Sequence, residues 1–538
     1  MSQAEIWHKK RQYTQQDFDL ALKALDAIRS GMSVRTAVRL FPLPDGRGFL
    51  AKHTLVAAYY LQVESGEWEA DPSLLARIRM KPIRTLSGVT TITVLTKPNP
   101  CPGNCIFCPT ETDMPQSYLS DEPGARRGLE NEFDPYRQVS SRLTALHQVG
   151  HPTDKIELLV LGGSWDAYPR SYQQWFIRRC FEALNEVNPD DTQPLASLES
   201  AHTLNVNSKH RNVGLVVETR PDLINPKNLV WYRKLGVTKV QLGAQSLDDR
   251  ILALNRRGHT AAQTLEAVSL LRAGGFKIVL HWMPNLLGAT LDSDREDFAR
   301  IWLPESLNPD ELKIYPCQLL ENSDLFKVWQ QGDYTPFTEQ ELITLIADLK
   351  ETVPRYCRIN RVIRDIPSTH VVAGNRNTSL RQDVALELQQ RGTHCECIRC
   401  REVRGQSVVS ADLNLQDETY QAAYAEEHFI SYNTKDDKLV GYLRLSLPKK
   451  NNLLGLSDLT GAAIIREVHV YGQSLEVGSD QEGAAQHIGL GTRLIQEAES
   501  VSKMHGFARL AVISAVGTRA YYAARGFDMG ELYMVKPL

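Results

Sequence analysis

The sequence predicts an α/β protein built as a partial (β/α)6 barrel. A helical, basic N-terminal region precedes the barrel, and a cysteine-bearing linker joins it to a smaller C-terminal α/β domain. Three observations carry this reading. From Thr90 onward six short β-rich apolar runs alternate with helix-length stretches, the pattern of parallel βα units. Six of the nine cysteines fall into two tight groups, one after the first strand and one after the last. Near Arg404 the pattern changes again, to a mixed order of strands and helices. The 538 residues suffice for three or four packed units, and 42% hydrophobic with 23% charged residues is an ordinary globular composition.

Residues 1–84 read as helical, with apolar residues at helical spacing over 17–28 and 54–63 and the turn residues Pro42, Pro44, Asp45 and Gly46 between them. This region carries 13 Lys+Arg against 9 Asp+Glu, whereas residues 405–538 carry 12 against 16. Its cations Lys9, Lys10, Arg11, Arg35, Arg39, Arg77, Arg79, Lys81 and Arg84 are interleaved with Trp7, Tyr13, Phe41 and Tyr59. They make either a solvated helical face or an RNA-binding surface, and any nucleic acid should touch this front half. No apolar run approaches eighteen residues and no basic-then-apolar leader follows Met1, so a cytoplasmic protein without membrane association is expected.

The barrel occupies 85–355, with strands predicted at 90–95, 156–161, 213–217, 237–242, 276–283 and 311–315. Chemistry in such barrels sits at the C-terminal ends of the strands. Several ends are unusual here: Gly162-Gly163-Ser164, Glu218-Thr219-Arg220, Gly243 to Gln245, His281, and Lys313 with Tyr315. After the first strand comes Cys101-Pro102-Gly103-Asn104-Cys105-Ile106-Phe107-Cys108. Iron–sulfur clusters are usually held by four thiolates. Three on one loop would leave one iron of a 4Fe-4S cluster open to S-adenosylmethionine, whose sulfonium a reduced cluster cleaves to a 5′-deoxyadenosyl radical. A zinc knuckle borrowing a fourth ligand is the plainer alternative. Gly162-Gly163 would let backbone carbonyls approach the ligand's ammonium, because no Cβ blocks them.

The linker, 356–404, holds Cys395-x-Cys397-x2-Cys400 in a basic segment. Structural zinc takes four Cys/His ligands; Cys357 is expected as the fourth, with His394 and His370 as alternatives. Three free thiols are the bland reading, and a tie between barrel and C-terminal domain is the expected role. In the last domain, 405–538, strands are predicted at 438–447 and 462–471. A Gly/Asp/Gln-rich loop over 472–487 and a helix over 490–505 follow, then a strand over 508–514, a short helix around Tyr521 and a closing strand near Leu532. Gln486, His487, Gly489 and Gly491 lie where a loop meets a helix N-terminus, an anion cradle suited to a pyrophosphate. Thirty residues on, Tyr521 and Tyr522 offer a hydroxyl able to protonate a leaving thiolate, although at least one should be a core aromatic. This order looks like a GNAT acyl-CoA-binding fold.

Jointly these segments resemble the catalytic subunit of the Elongator complex and its single-protein bacterial and archaeal relatives, which fuse a radical S-adenosylmethionine domain to a GNAT domain. The resemblance runs over most of the chain from about Lys97. Thr96-Lys97-Pro98, the cysteine loop, Leu161 to Ser164, Glu218 to Asp222, Gly243 to Ser246, Arg257-Gly258-His259-Thr260 and Met283 to Leu286 carry it in the first part. It continues through Leu312 to Pro316, Arg364 to Pro367, Arg466 to Gly472, Gln486 to Gly491, Gly517-Thr518-Arg519 and Tyr521-Tyr522. Two departures stand out. The three-residue gap between Cys101 and Cys105 lacks the longer insert of eukaryotic members, which points to a stand-alone prokaryotic type, and Gly163-Ser164-Trp165 replaces the usual Gly-Thr-Phe.

The resemblance implies acetyl-CoA-dependent carboxymethylation at C5 of the wobble uridine of tRNA. The adenosyl radical would abstract hydrogen from the acetyl methyl, the carbon radical would add to C5, and thioester hydrolysis would follow. Lys97, Gly162, Gly163, Glu218, Arg220 and Gln245 are the residues expected at the S-adenosylmethionine, and Tyr522 with the glycine cradle at the acetyl-CoA. Lys313, Tyr521 and Tyr522 are expected to act in catalysis. Lys277, Lys313, Arg361 and Arg364 should face an anion in the barrel mouth, or else form salt bridges with Glu218, Asp222 or Asp365. The tRNA anticodon stem-loop, acetyl-CoA and an electron donor are the implied partners of a monomer or homodimer needing no other subunits. A lysine acetyltransferase with Glu467 or His469 as base, and a non-catalytic tRNA-binding platform, are the competing readings.

Overall fold

The computed structural model describes residues 12–46, 48–188, 197–404, 408–409, 412–449, 452–471 and 489–538. These form two compact units. The first holds the chain up to Thr90 together with Ser140–Lys155, and the second holds both sheets described below.

In the first unit, helices α1 (Gln15–Arg29), α2 (Val34–Leu40), α3 (Lys52–Glu64) and α4 (Pro72–Ile78) pack around Ala24, Leu25, Ile28, Leu55, Val56 and Leu74. Thr14 and Asp17 close a capping box at the start of α1, which fixes where the helix begins. Two of the cations predicted for a binding face are committed to the fold instead. Arg77 donates to the carbonyls of Ile28 and Met32, both at 2.7 Å, and Arg79 donates to that of Gly150 at 2.8 Å. Arg35, Arg39 and Lys81 remain exposed, and Trp7, Lys9, Lys10 and Arg11 lie outside the described residues.

The second unit contains a seven-stranded sheet in simple sequential order. Its strands are β1 (Thr90–Leu95), β2 (Lys155–Leu161), β3 (Arg211–Thr219), β4 (Lys239–Gln245), β5 (Lys277–Trp282), β6 (Glu311–Ile314) and β7 (Arg358–Arg361). From β3 to β7 every neighbouring pair is parallel. Six strands were expected, and the seventh falls inside the segment predicted as linker. Arg358-Ile359-Asn360-Arg361 has one apolar side chain, so no apolar run marks it; it joins by pairing Leu312 with Ile359.

Alternation sorts the barrel strands into two faces. Ile278, Leu280 and Trp282 on β5, with Val240, Leu242, Leu312 and Ile314 beside them, form one wholly apolar, buried face. The other face carries Lys239, Gln241, Lys277, His281, Glu311 and Lys313, all in or against the interior.

The second sheet runs in the order β8 (Asn414–Ala422), β9 (Ala425–Asn433), β10 (Leu439–Pro448), β11 (Ala462–Val470), β12 (Arg509–Val512), β14 (Met534–Pro537), β13 (Asp528–Met529). The hairpin β8–β9 was read as a polar stretch. Its outer strand is largely exposed and carries Asn, Gln, Asp, Glu and Thr, so it has no apolar period to detect. β11 and β12 pair in parallel only over Ala462–Ile465, and helix α5 (Leu490–Met504) starts from Gly489. Among the described residues no helix is long and apolar enough to cross a membrane.

The two sheets of this unit meet through buried charge. Asp310 receives a two-point bond from the Arg466 guanidinium at 2.6 and 2.7 Å, and Arg444 lies 3.4 Å away. Glu427 takes Arg466 at 2.6 Å and Arg272 at 3.3 Å, and Lys277 bridges Glu311, at 2.6 Å, and Glu467. Burial alone would raise the Asp310 carboxyl, but Arg466 and Arg444 outweigh it and hold the group below the ordinary aspartate range. Removing one partner strands the others as buried charges. Asp310→Asn is therefore expected to lose about 3–5 kcal/mol in urea unfolding, whereas Arg361→Ala, which breaks the exposed pair with Asp365, should cost no more than about 1 kcal/mol.

Candidate functional site

The cysteine loop leaves the C-terminal end of β1 and crosses the mouth of the barrel. Each thiol has its own polar neighbour. Cys101 Sγ accepts from the Gly103 amide at 3.4 Å and sits 3.9 Å from Ser164 Oγ; Cys105 Sγ accepts from Arg257 Nη1 at 3.1 Å; Cys108 Sγ accepts from Gln116 Nε2 at 3.6 Å. Cys395, Cys397 and Cys400 draw their sulfurs within 4.8 Å of one another; the first trio is not gathered that closely. A single ion with sulfurs at about 2.3 Å needs the tighter grouping, so the two trios differ in what they could hold. The wider one suits a cluster whose corners keep the thiolates apart.

Two buried groups converge on this loop without partners of their own. Arg220 is oriented by Asp222, at 3.0 Å, and by the carbonyl of Arg257, at 2.6 Å, yet its Nη1 makes no hydrogen bond. That atom lies where a Cβ on Gly103 would stand, so glycine is required for the loop to close over it. Gln245 ends β4 just after a register shift, with φ of +71°, and its Oε1 is buried and unsatisfied. A non-glycine residue in the left-handed region with an orphaned carbonyl is the mark of a position held for a ligand.

Gly162 and Gly163 have φ of +131° and +92°. The reason for Gly162 is nearer than a ligand: a Cβ there would overlap Thr96 Oγ1, and the Gly162 carbonyl accepts from Tyr168 OH at 3.2 Å. Gly163 alone keeps open space on its Cα side. Lys97 lies at the surface with its ammonium 5.1 Å from the centre of the Tyr172 ring.

Deeper in the barrel, Gln241 Oε1 accepts from Lys313 Nζ and lies 3.0 Å from His281 Nε2. Tyr118 OH donates to Glu218 at 3.2 Å. Burial raises the Glu218 carboxyl despite Lys313 and Arg364 nearby, keeps His281 neutral, and brings the Lys313 ammonium down to about 8 against the pull of Glu218. Arg364 pairs with Glu122 at 2.8 Å and Ser117 Oγ at 2.9 Å, and Arg361 pairs with Asp365. Lys277 does not face the mouth: it opens β5 at the other end, within the charge network described above. Of the four predicted cations, Lys313 is the one that reaches the polar centre. Sequence reasoning assigned no site role to Arg257, Gln116, Tyr118 or Gln241. His281 and the Arg257-Gly258 pair carried a signal; Gln116 and Tyr118, on an irregular loop, carried none.

Cys357 is not gathered with the second trio. It is buried behind it, and its carbonyl accepts from the Ile398 amide at 2.9 Å. His394 is exposed near Glu396, and His370 bonds Asp121 at 2.7 Å. The described residues thus bring together three ligands of the expected four.

In the C-terminal domain Gln486 and His487 lie outside the described residues. Gly489 caps α5 with φ of +65°, and a Cβ on Gly491 would overlap Tyr521 OH. Tyr521 therefore lies directly on the helix's first turn, with the Arg525 guanidinium 3.5 Å from its ring centre. Tyr522 is buried against Phe527, the core aromatic expected of one of the pair. Burial raises both hydroxyls, so each keeps its proton at neutral pH. Glu467 is committed to Lys277, Arg444 and Tyr442 and held at about 2, and His469 is brought down to about 4 by burial.

The radical SAM superfamily matches residues 97–301, and the radical SAM C-terminal domain matches 309–390. A tRNA uridine(34) acetyltransferase of Methanocaldococcus infernus is 39% identical over 480 residues, covering 86% of this chain and 88% of that protein. One from Dehalococcoides mccartyi is 41% identical over 462 residues, covering 85% and 99%. Elongator complex protein 3 of Homo sapiens is 34% identical over 485 residues, covering 86% and 87%. A solved structure of the archaeal Methanocaldococcus infernus Elp3, with residues 1–46 deleted, aligns with a TM-score of 0.73 at 35% identity over 84% of this chain and 99% of that one.

The Lys313 value sets a pH signature. Its charge is nearly full one unit below a midpoint of about 8 and nearly lost one unit above. A reaction that needs the ammonium should therefore decline with rising pH along a one-proton curve centred near 8. Lys313→Arg, which keeps its proton, should abolish that limb, and Lys313→Met should be slow at every pH; rate–pH profiles of the three proteins check this.

Proposed function

This chain belongs to the family of tRNA uridine(34) acetyltransferases and Elongator complex protein 3, and from that premise we propose that it transfers an acetyl-derived carboxymethyl group to C5 of the wobble uridine of tRNA. The observation that carries the reading is the barrel mouth. There three separately spaced thiols, an Arg220 nitrogen and the Gln245 carbonyl oxygen, the last two without partners, converge on one opening above the polar centre formed by Glu218, Gln241, His281 and Lys313.

Cys101, Cys105 and Cys108 would hold a 4Fe-4S cluster, and Gly163, Gln245 and Arg220 would bind and orient S-adenosylmethionine beside it. When bound, these two supply reductive sulfonium cleavage and so the radical that activates the acetyl methyl group. The protein's own tasks are placement and exclusion of water. Arg257 donates to Cys105 Sγ and would keep that thiolate oriented and charge-balanced. Neutral His281 and the Lys313 ammonium share Gln241, leaving the ammonium's other protons for an anionic or carbonyl oxygen of the substrate. The Gly489–Gly491 turn at the start of α5 would receive the pyrophosphate of acetyl-CoA. Tyr521, proton-bearing and adjacent to that turn, is placed to protonate the departing thiolate. An anticodon-loop uridine can enter the mouth without breaking a duplex, and the exposed Arg35, Arg39 and Lys81 of the first unit are suited to tRNA phosphates. Zinc on Cys395, Cys397 and Cys400 would be structural.

Lysine acetylation is the weaker reading because its base is missing: Glu467 is tied into a buried ion network and His469 titrates too low to accept a proton efficiently near neutrality. The test uses oxygen-protected, cluster-reconstituted protein with S-adenosylmethionine, reductant and acetyl-CoA labelled on the methyl carbon. Label is expected in tRNA nucleosides and should be lost in Cys105→Ala, while Tyr521→Phe should slow product formation by roughly 10²-fold. Label confined to protein lysines, or unchanged transfer by Cys105→Ala, would overturn the proposal.

A further inference from the structure

Away from the barrel mouth and the acyl-cofactor turn, the C-terminal domain gathers Glu426, His428 and His505 so that their ligand atoms lie within 4.8 Å of one another. Glu426 and His428 are two residues apart on β9 and so share a face of the sheet. His505 caps the C-terminal end of α5. Both imidazoles have one nitrogen already held. His428 Nδ1 is 2.7 Å from Asp417 Oδ2 on the neighbouring strand β8, and His505 Nδ1 is 2.9 Å from the carbonyl oxygen of Val501, one turn back along its own helix. A ring nitrogen facing a carboxylate or carbonyl carries the hydrogen, which leaves the lone pair on the opposite nitrogen. In both rings that opposite nitrogen, Nε2, lies 3.5 Å from the same atom, Glu426 Oε1. The other carboxylate oxygen is occupied by Gln421 Nε2 at 2.7 Å.

Three lone-pair atoms therefore converge, each fixed from behind. Around a tetrahedral ion with bonds of about 2.0–2.1 Å, neighbouring N and O ligands stand about 3.4 Å apart, close to the separation found here. His428 is 5% exposed, and its Nε2 is buried and makes no hydrogen bond. A buried polar nitrogen left unpaired in this way points to a missing ligand.

We propose that Glu426, His428 and His505 bind one zinc-class divalent cation, with Asp417, Gln421 and the Val501 carbonyl as supports. The fourth position opens toward solvent, on the side where His505 and Glu426 are partly exposed. The ion would pin the last turn of α5 to β9, bracing from its far end the helix that begins at Gly489. The site is independent of the cysteine trios and of the proposed reaction. Its donors, two imidazoles and one carboxylate, favour zinc over magnesium or calcium.

The experiment equilibrates full-length protein with micromolar zinc, removes the excess, and measures bound metal and its X-ray absorption spectrum. Wild type is expected to hold one more equivalent than His505→Ala, a substitution at a half-exposed position that should fold normally. The extra equivalent should show only N/O neighbours, which separates it from any sulfur-bound zinc, and should raise the thermal unfolding midpoint of wild type alone. Asp417→Asn keeps all three ligands and should weaken the site by roughly 10- to 100-fold, a loss that a metal-free His–Glu–His ion bridge would not produce. Equal zinc content in wild type and His505→Ala, or an X-ray absorption spectrum with no zinc in an N/O-only environment, would overturn the proposal.

Discussion

Compensation of buried charge governs the second unit of this protein. A parallel barrel of this size ordinarily fills its interior with branched apolar side chains. Here the inward positions of β4, β5 and β6 carry Lys239, Gln241, Lys277, His281, Glu311 and Lys313, so stability depends on each charge finding its opposite. At the N-terminal ends of the strands the partners come from the C-terminal sheet, through Arg444, Arg466 and Glu467. Toward the mouth the compensation is incomplete: Lys313 meets a neutral amide and a raised carboxyl, Arg220 has an unbonded nitrogen, and Gln245 an unbonded oxygen. The same polar filling is a structural joint at one end and an unsatisfied site at the other.

Much of this was legible in the sequence, and the reasons are physical. β1 was readable to the residue because Thr-Thr-Ile-Thr-Val-Leu is an uninterrupted β-branched run bounded by polar residues. The cysteine trios were readable because thiols cluster in sequence only under strong constraint, and Gln245 was readable from its place at a strand end. What escaped has no local signature. β7 contributes edge hydrogen bonds with one apolar side chain, and the β8–β9 hairpin exposes its outer strand, so neither carries a hydrophobic period. Lys277 was expected in the mouth because its strand was recognised but the register was not; the first residue of a parallel strand lies at the opposite end from the chemistry. Arg77 and Arg79 looked like a binding face because sequence cannot reveal that a guanidinium is serving carbonyls of its own unit.

The glycine pairs teach a related lesson. Gly162 was assigned to a ligand, yet Thr96 occupies the space its Cβ would need, so close packing alone accounts for it. Gly491 makes the same point with the opposite result: the atom that excludes its Cβ is the Tyr521 hydroxyl, a group expected to do chemistry. A glycine identifies a close approach, and only the identity of the approaching atom decides whether that approach is structural or functional.

Two irregular ladders show how the scaffold converts register into function. Between β10 and β11 the pairing steps from Arg444↔Glu467 to Leu445↔Ile465, leaving Arg466 as an extra residue. In a regular strand adjacent side chains point to opposite faces, so Arg466 and Glu467 could not both address the barrel; the bulge removes that restriction. Arg466 then grips Asp310 while its neighbour grips Lys277. Between β4 and β5 the register steps past Ala244, and Gln245 emerges in the left-handed region with its amide oxygen aimed inward. One bulge thus secures the joint and the other shapes the mouth. Both cost a ladder bond, and both stand where an uninterrupted strand would have turned the necessary side chain away.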